Sequence, residues 1–145
     1  MTQRAGGRHR TLAKADYETL SELRYLMRGF AAFSEAEARA VGLTPQQHQA
    51  LLTIRGFPGA GHATIGDLAQ RLYVRHHSVV GLVDRLVSKG LLRRLIDPVD
   101  RRRVRLGLTR KSQSLLASLS LTHRDELRRL APLLRELLRR LERRG

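Results

Sequence analysis

The sequence predicts a mainly α-helical chain carrying one small β-hairpin, and three observations carry that expectation. Between Ala63 and Thr109, two short stretches with apolar residues at helical spacing are followed by an arginine-rich stretch that alternates. Asp97-Pro98-Val99-Asp100 interrupts that stretch with the residues a tight turn prefers. On either side of it lie longer segments in which Leu, Phe and Met recur every three or four residues.

In chain order, Met1 to Lys14 holds Arg4, Arg8, Arg10, Lys14 and Gly6-Gly7, a basic arm that is either a solvated tail or a groove contact. Asp16 is expected to cap a long helix, on which Tyr17, Leu20, Leu23, Leu26, Met27, Phe30 and Phe33 keep helical spacing until about Val41-Gly42. Thr44-Pro45-Gln46-Gln47 has the order of a capping box with proline at the first helical position, so a helix over Pro45 to about Arg55 follows. Phe57 to Gly61 is a loop and not a phosphate cradle, since no Lys-Ser/Thr follows it.

Thr64 caps a helix of about two turns with Ile65, Leu68, Ala69 and Leu72 inward, and a turn at Tyr73-Val74 follows. The next helix runs from about Arg75 to Lys89, with Val79, Val80, Val83, Leu86 and Val87 inward and Gly90 in the left-handed position past its end. That leaves Arg75, His76, Ser78, Gly81, Leu82, Arg85 and Lys89 as an open face with His77 near its edge. Asp84 and Arg85 are expected to form local ion pairs within this helix.

Leu91–Ile96 and Arg103–Leu108 read as strands, the second with Val104, Leu106 and Leu108 inward and Arg103 and Arg105 outward. Thr109 caps a last helical region through Leu115, Leu116, Leu119, Leu127 and Leu130, with a kink at Pro132 or a fresh helix near Ala131. Leu133, Leu134, Leu137, Leu138 and Leu141 then form an apolar stripe too broad for a small monomer to leave exposed. With Leu20 and Leu23 of the first long helix, it is assigned to dimerisation.

Composition narrows the function. The 145 residues suffice for one domain with extensions, and the formal charge of +15 favours a polyanion, nucleic acid before membrane. Aromatic content of 4% argues against a stacking platform for single strands. Without cysteine there is no disulfide, thiolate zinc site or thiol switch. No apolar run reaches the roughly 18 residues of a spanning helix, and no signal peptide opens the chain, so a cytoplasmic protein without membrane contact is expected.

Arg101-Arg102-Arg103 would repel one another unless an anion received them, and Arg93, Arg94, Arg105 and Arg110 add to the cluster against only Asp97 and Asp100. A solvated charged loop is the plain alternative. His76-His77 invites a zinc reading, but neighbours on a helix point about 100° apart and a third ligand is missing at the next turn, so surface histidines and no metal are expected. Ser, His and Asp occur without the spacing of a nucleophile elbow or a zinc-protease helix; neither catalysis nor a cofactor is expected.

R-x-x-D-P-x-D-R-R-x-x-x-L-x-L-T from Arg94 to Thr109, preceded by L-V-x-K-G-L-L from Leu86 to Leu92, resembles the winged helix-turn-helix of the MarR family of bacterial transcription regulators. The likeness extends over about Asp16 to Arg143. It implies a homodimer whose first and last helices interleave (15–42 and 110–145) around a DNA-binding region, 43–109. Arg102 is then the wing residue placed in the minor groove, steadied by Asp100, with Arg101 and Arg103 on phosphates; Arg75, His76, His77, Ser78 and Arg85 serve the major groove, and Thr64 joins them as a DNA contact. Two recognition helices roughly 34–36 Å apart would engage successive major grooves of a pseudo-palindrome in double-stranded DNA.

Family members often bind a small aromatic or phenolic effector near the dimer helices, for which Phe30, Phe33, His48 and Arg55 are candidates beside plain core packing. Ligand-free protein would bind DNA, usually as a repressor. An architectural DNA coat and a protein-interaction adaptor are the rival readings.

Overall fold

A computed structural model describes residues 11–59 and 61–143, so Arg4, Arg8 and Arg10 of the basic arm lie outside the described residues. The elements run α1 (Lys14–Ala40), α2 (Pro45–Arg55), α3 (Ile65–Leu72), α4 (His76–Ser88), β1 (Leu92–Ile96), β2 (Val104–Leu108) and α5 (Arg110–Glu142). The described residues form two compact units, one within 32–125 and one made of 11–31 with 126–143.

Local chemistry sets the boundaries. Lys14, assigned above to the arm, is the first residue of α1 and pairs with Glu18. Asp16 is not the N-cap residue: it lies in the first turn, where its Oδ2 accepts the Ala13 amide at 2.9 Å. Thr44 and Gln47 form a reciprocal capping box on α2, and Thr64 and Asp67 form another on α3. Helices α1, α3 and α4 all end in paired amides reaching back over the last turn, as with Leu91 N to Leu86 O and Gly90 N to Val87 O. The residue past each end is left-handed: Gly42, Gly90 and, at φ 54°, the exposed Tyr73.

The larger unit encloses the main core, with Ala38, Leu43, Ala50, Leu51, Leu68, Val79, Leu82, Val83, Leu86, Leu92, Leu106, Leu116 and Leu119 buried. Leu82 was expected on the open face of α4; it is 2% exposed, and the buried stripe is Val79, Leu82, Val83 and Leu86, with Val80 and Val87 half-buried at its margins.

Strands β1 and β2 pair antiparallel, from Leu92 opposite Leu108 to Ile96 opposite Val104. Inward alternation holds for Leu106 and Leu108 but not for Val104, which is exposed with Ile96 because both lie beyond the end of the core. Arg105 is not a free outward cation either: its side chain is mostly buried beside Asp97. The residues before α3 add a short third edge, with Leu106 N donating to Ala63 O at 2.8 Å and Thr64 bridging Arg105.

In the smaller unit Leu130 and Leu137 are buried, Leu23, Leu26, Leu134 and Leu141 are half-buried, and Leu20, Leu127, Leu133 and Leu138 are exposed. The expected fresh helix near Ala131 is absent, because α5 runs on through Pro132 as one helix of 33 residues. Among the described residues no helix is long and apolar enough to cross a membrane.

Candidate nucleic-acid interface

The surface that can meet a polyanion is built from α4, the hairpin and the start of α3. At about 100° per residue, His77, Ser78, Gly81 and Arg85 share one side of α4, opposite the buried stripe, and His76 and Arg75 are exposed at its beginning. Arg85 folds its guanidinium over Gly81, where an added Cβ would sit 3.5 Å from Nη1. Lys89 turns elsewhere, with Nζ 3.3 Å from both Gly42 O and Gln47 Oε1. Asp84 pairs with Arg94 of β1 rather than within its own helix, which corrects the local pairing expected of Asp84 and Arg85.

One feature of α4 has no signature in its composition. Its N-cap residue is Arg75, which makes no side-chain cap hydrogen bond. The first-turn amides of His76 and His77 precede the helical ladder and lie at the positive end of the helix dipole, a position suited to a phosphate.

At the hairpin tip, Asp100 Oδ1 accepts the Arg102 backbone amide and Arg102 Nε, both at 3.1 Å, and Oδ2 lies 3.4 Å from Nη2. These bonds hold the Asp100 carboxyl below its ordinary range. The Arg102 side chain is nonetheless 92% exposed, and Arg101 and Arg103 are exposed beside it. Thr64 is half-buried, its hydroxyl engaged by the Asp67 amide at the head of α3.

The wing root holds the pair that residue counting missed. Asp97 accepts from Arg105 Nε at 2.7 Å and from the amides of Val99 and Asp100 at 2.8 and 3.1 Å. The two backbone donors first, and then Arg105, lower its pKa to about 2. Positions 97 and 105 are diagonal neighbours on one face once Ile96 opposes Val104, so register was the available signal.

Two of the effector candidates, Phe33 and His48, lie against the same ring, that of His123. His48 is buried with its ring 4.8 Å from that of His123, and Phe33 meets His123 edge to face at 5.4 Å. Arg55 lines one surface cleft with Phe57, His62 and Arg93 and another with Leu52 and Gln113; neither is lined by Phe33 or His48. Phe30 belongs to the smaller unit and is half-buried.

His123 Nδ1 is 2.7 Å from Leu119 O and its Nε2 is 2.8 Å from Ser34 Oγ, whereas His48 Nδ1 has no hydrogen-bond partner. Burial, and secondarily the proximity of His123, lowers the His48 pKa. A lowered histidine leaves the folded state with fewer bound protons than the unfolded one, so stability falls as pH drops below about 6.5. Thermal melts at pH 7.5 and 5.5 are expected to show a smaller acid-induced fall in Tm for His48→Leu than for the wild-type chain; equal falls would remove His48 as a source.

Residues 41–103 match the model of the MarR family. An uncharacterized HTH-type transcriptional regulator of Bacillus subtilis (strain 168), YsmB, is 28% identical over 113 residues, covering 75% of each chain. A MarR family protein from Bacillus stearothermophilus superposes with a TM-score of 0.72 at 22% identity, over 92% of this chain and 97% of that one. A mutant of S. aureus MepR bound to an oligodeoxyribonucleotide gives a TM-score of 0.67 at 20% identity, over 89% of this chain and 98% of that one. The segment 41–103, which holds both capped helices and the tip of the basic hairpin, is thus similar to the MarR family, and the fold is that of solved MarR proteins.

Proposed function

We propose that the chain is a MarR-type transcription regulator acting as a cytoplasmic homodimer on a pseudo-palindromic operator, with 43–109 reading DNA and the helices of 15–42 and 110–145 joining the protomers. In this reading α4 enters the major groove, where Arg85, His77 and Ser78 reach base edges or phosphates and the first-turn amides of His76 and His77 take a phosphate. The wing carries Arg102 to the minor groove, with Arg101 and Arg103 on the flanking phosphates.

The observation that carries the reading is the concentration of exposed cations around an uncapped helix start and one hairpin tip: Arg75, Arg85, Arg101 and Arg103 have no ion-pair partner among the described residues. Occupying a promoter this way represses transcription. An aromatic or phenolic effector beside Phe33 and His48 would relieve it, provided it binds the DNA-incompetent state better.

Duplexes selected from a random pool test the reading, because recovered half-site spacing reports dimer geometry. On the selected duplex, Arg102→Ala is expected to weaken binding by about 1–3 kcal/mol. Unchanged affinity would refute the wing assignment, and sequence-blind coverage lost steeply with salt would indicate an architectural coat.

A further inference from the structure

We infer that Arg105 is a positioning residue that fixes the wing relative to the start of α3, and that it serves DNA binding without being a DNA contact. The inference rests on the proposed role of the wing and adds the device that aims it.

The Arg105 guanidinium joins two segments that are far apart in sequence. Its Nε donates to Asp97 Oδ2 at 2.7 Å in the wing, and its Nη1 donates to His62 O at 2.6 Å in the residues leading into α3. Asp97 is 3% exposed, so its carboxylate requires these donors; a buried charge left unpaired is strongly unfavourable. The other Asp97 oxygen binds the Val99 and Asp100 amides and so shapes the turn from which Asp100 clamps Arg102. A continuous chain of hydrogen bonds thus runs from His62 through Arg105 and Asp97 to the tip arginine. Leu106 N to Ala63 O, 2.8 Å, ties the same two segments beside it.

Lysine in place of Arg105 keeps the charge but not the fork. One ammonium on a flexible stem does not reproduce two planar donors held at fixed spacing, so Arg and Lys are distinguishable here. A phosphate contact tolerates that exchange, and a strut does not. A strut also couples to what it aims: once the wing is loose, removing Arg102 loses little.

Anisotropy titrations of the selected duplex at one ionic strength, with wild type, Arg102→Ala, Arg105→Lys and the double variant, separate these roles. Arg105→Lys is expected to weaken binding about tenfold, and Arg102→Ala in that background to cost less than about twofold, against about fivefold or more alone. Wild-type affinity for Arg105→Lys, or equal Arg102→Ala losses in both backgrounds, overturns the inference. No effect of Arg102→Ala on its own refutes the wing reading itself and this inference with it. Hydrogen exchange supplies a second readout: the Leu106 amide should exchange faster in Arg105→Lys while those of Leu51 and Leu86 keep their protection, and unchanged exchange at Leu106 counts against the strut. Should Arg105→Lys fail to fold, Asp97→Asn carries the same expectation of non-additivity with Arg102→Ala.

Discussion

If the proposed dimer forms through α5, replacing both Leu133 and Leu138 with aspartate is expected to abolish it while leaving the protomer helical. Each leucine is 51% exposed in the single chain, so the half of its surface turned to solvent is what a partner would cover. Completing the burial of such a side chain contributes on the order of 1 kcal/mol. A carboxylate placed there costs several more, and two-fold symmetry counts every substitution twice. Together these imply a rise in the dimer dissociation constant of more than about 1,000-fold. Sedimentation should then show monomers at micromolar concentration, with far-UV circular dichroism near wild type. Leu137 makes a poorer test, because it is buried within its own chain and its loss would unfold the protomer. A dimer that survives the double substitution removes these leucines from the interface.

The same stripe shows how far the sequence could be read. Leucines at 133, 134, 137, 138 and 141 announce an amphipathic helix, and spacing alone makes them equivalent. The fold divides them: Leu137 is spent inside the protomer, Leu134 and Leu141 are half-buried, and Leu133 and Leu138 are left over. That division depends on which face α1 covers, which no local pattern encodes. Caps were legible because they are local, as at Thr44, Thr64 and Gly90. Of the two outcomes expected at Pro132, a fresh helix fails for a related reason: the lost hydrogen bond costs stability locally, but the surrounding helix on both sides outweighs it. In the wing, charge and alternation alone leave Arg105 an outward cation like its neighbours. Separating Arg105, bonded to Asp97 and His62, from exposed Arg102 required the strand register and the position of the segment before α3.

Leu82→Ala is expected to destabilise the chain by about 2–5 kcal/mol, the range for truncating a buried leucine, and to lower Tm on the order of 10 °C. Its side chain is closed in with Val79, Val83 and Leu86, so the missing methyl groups leave a cavity that neighbouring helices only partly fill. The sequence had suggested otherwise, because three β-branched valines at 79, 80 and 83 drew the apparent apolar stripe a quarter turn away from Leu82. At about 100° per residue, 79, 82, 83 and 86 cluster more tightly than the set containing 80 and 87. The two placements predict different phenotypes. A leucine on the DNA-facing side would leave the urea midpoint unchanged and alter affinity for the selected duplex, whereas a core leucine shifts the midpoint and leaves the affinity of the folded fraction largely intact. Ser78→Ala, on the exposed side of the same helix, is the matched control and should stay within about 0.5 kcal/mol of wild type. A loss below about 1 kcal/mol for Leu82→Ala would mean that α4 is rotated from the orientation described, and with it the assignment of His77, Ser78 and Arg85 to the groove-facing side.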